Sequence, residues 1–179
     1  VDFFGGEPLM NFEVVKALVA YGRELEKTHN KTFRFTITTN GVLLDEEKMA
    51  FINREMSNVV LSIDGRKEVN DRMRPCINGS GSYDVILPKF RRMVELRDNR
   101  QYYVRGTFTK YNLDFSKDVE HLNQAGFDQI SVEPVVADPQ YPYALTEEDL
   151  PAIFQEYERL ANMILEERRK GNWYNFFHF

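Results

Sequence analysis

The chain has 179 residues, which suits one ordinary domain that buries about two-thirds of the surface exposed by its unfolded chain. Apolar residues make up 42% and charged residues 28%, which is typical of a globular fold and argues against a disordered chain. A net charge of -5, a single cysteine and the lack of a long apolar run or basic leader argue against nucleic-acid binding, a disulfide scaffold, secretion and membrane insertion. We therefore expect a cytoplasmic protein.

Short β-rich runs alternate with helical patterns, which predicts repeated βα units and a parallel sheet. The predicted strands are Val1 to Phe4, Phe33 to Thr39, Asn58 to Ile63, Gln101 to Thr109 and Gln129 to Val136. The predicted helices run from Phe12 to Lys27 after an Asn11 cap, from Asp45 to Met56, from Tyr83 to Arg97, from a Ser116 cap to Gly126, and from a Thr146–Asp149 capping box to Lys170. Five strands with four crossovers suit either an open doubly wound sheet or part of a barrel.

Alternation within the strands favours the barrel. Arg34 and Thr36 alternate with apolar residues in the second strand, and Arg105 and Thr107 do the same in the fourth. Strands that are buried on both faces of a doubly wound sheet usually read as continuous apolar runs. Polar residues at alternate positions of the strands instead indicate a curved sheet with helices outside and a polar inner face. The sequence therefore predicts an α/β fold built as a partial TIM-like barrel.

Glycine and polar residues follow the ends of the predicted strands, where ligands of parallel α/β sheets bind. These ends are Gly5-Gly6-Glu7-Pro8, Thr38-Thr39-Asn40-Gly41, Ser62-Ile63-Asp64-Gly65, Thr107-Phe108-Thr109 and Val132-Glu133-Pro134. Taken alone, each glycine is explained by a tight turn, and no G-x-G-x-x-G dinucleotide pattern follows Gly5-Gly6. A glycine pair nevertheless lets a ligand approach the backbone closely.

The order and spacing of three strand ends resemble the radical S-adenosylmethionine (SAM) enzymes. The resemblance is carried by Phe4-Gly5-Gly6-Glu7-Pro8-Leu9, Thr38-Thr39-Asn40-Gly41 and Ser62-Ile63-Asp64-Gly65. It is closer to the peptide-modifying branch that has a C-terminal cysteine-rich (SPASM-type) extension. The stretches 103–109 and 129–136 are similar to the maturases of six-cysteine (SCIFF) peptides, which install thioether crosslinks.

This resemblance implies a radical SAM core, a partial (β/α)6 barrel that lacks its first strand and cluster loop. Residues 1–145 would form the barrel, and residues 146–179 a long helix and an aromatic segment leading to a missing C-terminal cysteine-rich domain. The parent enzyme would cleave SAM to a 5′-deoxyadenosyl radical and abstract hydrogen from a ribosomally made, cysteine-rich peptide. We expect the chain to be a fragment of that parent and inactive alone.

The resemblance also implies how SAM is held. The backbone of Gly5, Gly6 and Glu7 matches the motif that accepts hydrogen bonds from the methionyl ammonium. Arg105 would pair with the methionyl carboxylate or, alternatively, neutralise a neighbouring carboxylate. No catalytic residue is predicted. Ser62 and Asp64 would face the ribose and methionyl part of SAM, and Val132 would face either the adenine or the protein core. The complete predicted cofactor-binding set is Gly5, Gly6, Glu7, Thr38, Asn40, Ser62, Asp64, Arg105 and Val132.

No metal ligand is predicted within the chain. The three-cysteine loop with which the family binds a [4Fe-4S] cluster does not occur here, and Cys76 alone cannot replace three thiolates. We interpret Cys76 as an ordinary loop thiol or a substrate contact. SAM and the cluster are therefore expected in the full-length parent.

Two other functions remain open from the residues alone. One is a metal-free βα-barrel lyase or isomerase that uses Glu7, Asp64 or Glu133 as its general base. The other is a non-catalytic module that binds peptides with its aromatic termini and Tyr102-Tyr103.

Overall fold

The computed structural model describes every residue from Val1 to Phe179. Its strands are β1 (Asp2–Phe3), β2 (Phe35–Thr39), β3 (Met56–Ser62), β4 (Tyr102–Phe108), β5 (Gln129–Pro134) and β6 (Asn175–Phe176). Its α-helices are α1 (Phe12–His29), α2 (Glu46–Glu55), α3 (Lys67–Met73), α4 (Tyr83–Leu96), α5 (Ser116–Gln124) and α6 (Leu150–Arg169). Two short 3-10 helices, Pro8–Asn11 and Glu147–Asp149, precede α1 and α6.

The six strands form one sheet in which neighbours follow chain order, from β1 to β6. The pairs β1–β2, β2–β3, β4–β5 and β5–β6 are parallel. The Val59 amide donates to the Gln101 carbonyl, and the Ile63 amide donates to the Arg105 carbonyl. The predicted α/β fold with a parallel sheet is confirmed.

Strand β6 and helix α3 were not predicted. Strand β6 has only two residues, and it exists because Asn175 and Phe176 pair with Gln129 and Ile130, far away in sequence. Helix α3 has only seven residues, too few to show a clear apolar period. None of the helices combines the length and apolarity needed to cross a membrane.

The chain divides into two compact units. Unit 1 comprises residues 1–62 and 85–103, and unit 2 comprises residues 63–84 and 104–179. The sequence-based boundary after residue 145 remains a prediction.

The core of unit 1 contains one stripe of helix α1 and the apolar parity of β2. Val15 and Val19 are buried. The apolar spacing of α1 predicts that Leu18 shares their face, but Leu18 is 49% exposed, so that prediction is wrong. In β2, Phe35 and Ile37 are buried while the intervening Thr36 is only half-buried, which confirms the predicted alternation.

The core of unit 2 contains an aromatic cluster. Phe108, the last residue of β4, stacks on Phe115 with ring centroids 4.2 Å apart, and Tyr157 of α6 meets Phe115 edge-on at 4.9 Å. Val104 is fully buried, whereas Arg105 on the opposite parity is exposed. The polar side chains of β4 therefore point away from this core.

The predicted caps are confirmed in part. The Asp45 side chain accepts a hydrogen bond from the Lys48 amide, and the Thr146–Asp149 capping box is present. Asn11 occupies the N-cap of α1 without a capping bond, and Ser116 lies inside α5. The Ser116 hydroxyl instead donates to Glu156, a carboxylate on the distant helix α6.

Candidate functional site

The loop after β1 presents open backbone. Gly5 has a φ of 117°, which an L side chain rarely adopts. A Cβ atom built on Gly5 or Gly6 would meet no heavy atom within 4 Å, and neither glycine takes part in a hydrogen bond. The loop borders a groove of about 250 Å³ that the exposed apolar residues Val14 and Leu18 also line. Its backbone groups are therefore accessible to a ligand.

The Glu7 side chain fixes this loop to the end of β2. Its Oε1 atom accepts hydrogen bonds from the Leu9 amide at 3.0 Å and from the Thr39 hydroxyl at 2.8 Å. Its Oε2 atom accepts one from the Asn40 amide at 2.8 Å. The structure thus brings together two of the strand ends from which site residues were predicted, and it adds Thr39, which was not among them.

Thr38 and Ser62 are half-buried at the ends of β2 and β3, and their hydroxyls make no hydrogen bond within the chain. The Asn40 side chain is occupied differently, since its Oδ1 accepts from the Val42 amide at 3.0 Å. Thr38 and Ser62 therefore offer free hydroxyl groups, whereas Asn40 shapes its own turn.

In unit 2, Asp64 is buried and fully engaged. Its carboxylate accepts from Arg74 Nε at 2.8 Å and Nη2 at 2.9 Å, and from the Thr107 amide at 2.9 Å. Only 2% of the residue is exposed. A Cβ on Gly106 would lie 2.7 Å from the Ile63 carbonyl oxygen, so the glycine allows β4 to approach this strand end closely. Asp64 therefore joins three segments of the unit.

The turn that follows Asp64 is anchored by a second ionic network. Arg66 Nε donates to Asp118 Oδ1 at 2.8 Å, and its Nη2 donates to Asp114 Oδ1 at 2.7 Å. Hydrogen bonds from Arg66 lower the pKa of Asp114, and the two carboxylates raise the pKa of Arg66. Gly65, with a φ of 128°, lies directly against the Asp118 side chain. This network holds the turn in place.

In unit 2, the exposed Arg105 of β4 pairs with Glu133 of β5. Arg105 Nε donates to Glu133 Oε1 at 3.1 Å, and Nη2 donates to Oε2. The Ser131 hydroxyl donates to Glu133 Oε1 at 3.2 Å, and His178 Nε2 lies 3.5 Å from that hydroxyl. The pKa of Glu133 is lowered, chiefly by the hydrogen bonds from Arg105. Because the Arg105 side chain is 44% exposed, an incoming anion can reach its guanidinium.

Val132 lies between Ser131 and Glu133 in sequence but on the opposite parity, and it is fully buried. Its side chain belongs to the core, so a ligand on the polar face would meet only its backbone.

The chain's donor groups fit SAM but do not by themselves fit an iron–sulfur cluster. Backbone carbonyls at Gly5-Gly6 suit an ammonium group, and the exposed Arg105 guanidinium suits a carboxylate. Cys76 is the only cysteine, its sulfur has the Gly81 carbonyl at 3.8 Å as its hydrogen-bond partner, and no group of three His, Cys, Asp or Glu side chains could hold a metal ion. The thiolates of a cluster would have to come from outside these residues.

Comparison with known proteins identifies the family. Residues 1–114 match the Radical SAM superfamily. The chain is 30% identical over 166 residues to an uncharacterised protein of Methanocaldococcus jannaschii, covering 92% of this chain and 54% of that protein. It is 24% identical over 174 residues to the cysteine-type anaerobic sulfatase-maturating enzyme of Clostridium novyi, covering 92% and 43%. The chain thus spans about half the length of these relatives.

Solved structures show the same fold. Native anSMEcpe with bound AdoMet (SAM) superimposes with a TM-score of 0.82 at 20% identity, covering 99% of this chain and 49% of that one. Streptococcus suis SuiB bound to S-adenosylmethionine gives a TM-score of 0.68 at 18% identity, covering 98% and 38%. The predicted fold is therefore confirmed by structural neighbours as well as by the sheet. From the sequence match and the shared fold together, the chain belongs to the radical SAM superfamily, whose members use SAM and a [4Fe-4S] cluster.

Proposed function

We propose that this chain supplies the SAM-binding groups of a radical SAM maturase that modifies a cysteine-containing peptide. The observation that carries the proposal is the open Gly5-Gly6 backbone, which a buttressed carboxylate, Glu7, ties to the next strand end. Such a loop can accept an ammonium group without first breaking a hydrogen bond of its own.

Each polar group of SAM has a chemically matching partner in the chain. The carbonyl oxygens of Gly5 and Gly6 accept hydrogen bonds from the methionyl ammonium. Arg105 binds the methionyl carboxylate, which takes the place of the Glu133 carboxylate on the guanidinium. The free hydroxyls of Thr38 and Ser62 are available to the remaining polar groups of SAM. Bound together with a [4Fe-4S] cluster, SAM supplies the hydrogen-abstracting radical chemistry, and the protein supplies orientation.

We further propose that the product of the reaction is a thioether crosslink in the peptide. It is supported by the similarity of residues 103–109 and 129–136 to thioether maturases. It is also supported by the Clostridium novyi relative, which is named for cysteine-type sulfatase maturation, and by an anSMEcpe structure that holds AdoMet and a Kp18Cys peptide. We further propose that residues 146–179 connect the barrel to a cysteine-rich extension.

The contacts of two predicted general bases disfavour a metal-free lyase. The Glu7 carboxylate accepts three hydrogen bonds, and the Asp64 carboxylate accepts three, two of them from Arg74. A carboxylate that is held in this way is poorly placed to remove a substrate proton.

The test uses the full-length protein after anaerobic cluster reconstitution. We expect it to bind SAM and to convert a cysteine-containing peptide into a product that lacks two hydrogen atoms per thioether. A peptide with serine at the cysteine positions is the matched control and should stay unmodified. Absence of SAM binding would refute the proposal as a whole, whereas SAM binding without a thioether would refute only the product assignment.

A further inference from the structure

Thr39 combines burial with a relay of hydrogen bonds. The residue is 1% exposed, and its hydroxyl donates to Glu7 Oε1 at 2.8 Å while it accepts from the Gly41 amide at 3.0 Å. No ligand could touch a side chain that is so enclosed. Any influence of Thr39 on a ligand must therefore pass through Glu7.

The end of β2 that carries Thr39 is closely packed. Gly41 has a φ of 78°, and a Cβ at that position would lie 2.2 Å from the Phe90 ring. Phe90 is itself fully buried in helix α4. Gly41, whose amide donates to the Thr39 hydroxyl, is therefore packed closely against Phe90, and Thr39 connects this packed segment to the Glu7 carboxylate by a hydrogen bond.

Glu7 is a negative charge without an ion-pair partner. The hydrogen bonds to its carboxylate come from two amides and one hydroxyl, and no lysine or arginine pairs with it. The carboxylate follows Gly5-Gly6 directly in the chain, so its charge favours a cation bound at that loop. A carboxylate that was free to rotate would favour the cation less, because it could turn toward solvent.

We infer that Thr39 is a positioning residue for the methionyl ammonium of SAM. It holds the Glu7 carboxylate, and Glu7 in turn holds the open Gly5-Gly6 backbone to which the ammonium binds. The inference rests on the proposed function, since it presumes that SAM binds at this loop.

The test compares three variants of the full-length, cluster-reconstituted protein. Thr39→Val keeps the side-chain shape and removes the hydroxyl, whereas Thr39→Ser keeps the hydroxyl. Thr36→Val is the matched control, because Thr36 lies on the same strand and its hydroxyl bonds to Asp2 instead. Equilibrium binding is measured for SAM and for 5′-methylthioadenosine, which lacks the amino-acid part, and thermal unfolding is recorded for each variant.

We expect Thr39→Val to weaken SAM binding about tenfold, since it removes a hydrogen bond to a charged group. Affinity for 5′-methylthioadenosine should change less than about twofold, and Thr39→Ser and Thr36→Val should bind SAM like the wild type. Unchanged SAM affinity in Thr39→Val, or an equal loss for both ligands, would overturn the inference, because the latter indicates general damage. If the wild type bound neither ligand, the proposed function would fail and the inference with it.

Discussion

Asp64 and Arg74 form a bidentate ion pair, with Nε–Oδ2 and Nη2–Oδ1 distances of 2.8 and 2.9 Å, across a separation of ten residues. The pair joins the end of β3 to the residue that follows α3. The Thr107 amide of β4 donates a hydrogen bond to the same carboxylate. Asp64 therefore stabilises the packing of these three segments, a role that its position in a strand-end motif does not indicate. Its predicted contact with SAM remains a prediction.

Replacing Arg74 should destabilise the protein. Arg74→Ala leaves a buried carboxylate without its cation, which typically costs about 3–5 kcal/mol for a fully buried pair. Because the Arg74 side chain is 32% exposed, we expect water to reduce the loss in unfolding free energy to about 2 kcal/mol. Urea denaturation measures it, with Arg169→Ala, an exposed arginine without an ion pair, as control. Equal stability of the two variants would contradict the structural role of the pair.

Gly106→Ala should also be destabilising, for a steric reason. The new Cβ would lie 2.7 Å from the Ile63 carbonyl oxygen and 3.0 Å from the Asp64 Cα, and backbone cannot move aside as a flexible side chain can. We expect a loss of about 2 kcal/mol in unfolding free energy. Gly6→Ala is the matched control for stability, since its Cβ meets nothing within 4 Å. A Gly106→Ala protein that melts like Gly6→Ala would show that the strands tolerate the wider spacing.

Arg105→Lys should reduce SAM affinity in the full-length protein although it conserves the charge. A guanidinium binds a carboxylate through two parallel hydrogen bonds, which an ammonium cannot reproduce, and we expect about a tenfold loss. The melting temperature should hardly change, because the exposed pair with Glu133 contributes less than about 1 kcal/mol. Isothermal titration with SAM measures the affinity.

Glu133→Gln separates the two roles of Arg105. It removes the ion-pair partner but keeps the guanidinium, so SAM affinity should be retained or increased. Near-normal SAM binding by Arg105→Lys would rule out the bidentate carboxylate contact.

The Arg66–Asp114 pair predicts a pH dependence of stability. Arg66 lowers the folded-state pKa of Asp114 below its unfolded value of about 3.9, so the pair stabilises the protein above about pH 4. This contribution is lost as the pH falls through the lower, folded-state pKa. Asp114→Asn should therefore be less stable at pH 7 by about 0.5 kcal/mol, and the difference should vanish in acid.

Unfolding midpoints of the wild type and Asp114→Asn between neutral pH and acid test this expectation. Glu148→Gln, which removes an exposed carboxylate without an ion-pair partner, is the control and should track the wild type throughout. A constant difference between wild type and Asp114→Asn at every pH would show that the asparagine acts through packing and not through charge.

The sequence by itself determined the fold class and the loop that carries the proposal. Strand alternation has a period of two residues, so the polar and apolar parities of β2 and β4 could be read locally. Gly5 and Gly6 stood out because glycine after a strand permits the positive φ that Gly5 has. The spacing of successive strand ends then indicated the family that the comparison shows.

Only the tertiary structure decided which side chains act together. Glu7 and Thr39 are 32 residues apart, and Asp64 accepts hydrogen bonds from Arg74 and Thr107, which lie 10 and 43 residues further along the chain. Such hydrogen bonds depend on distances of about 3 Å between groups that no local period relates. The same reason explains why Leu18 was placed in the core and why β6 was missed: exposure and strand pairing are set by whichever distant segment packs alongside, and not by the residue's own neighbours in the chain.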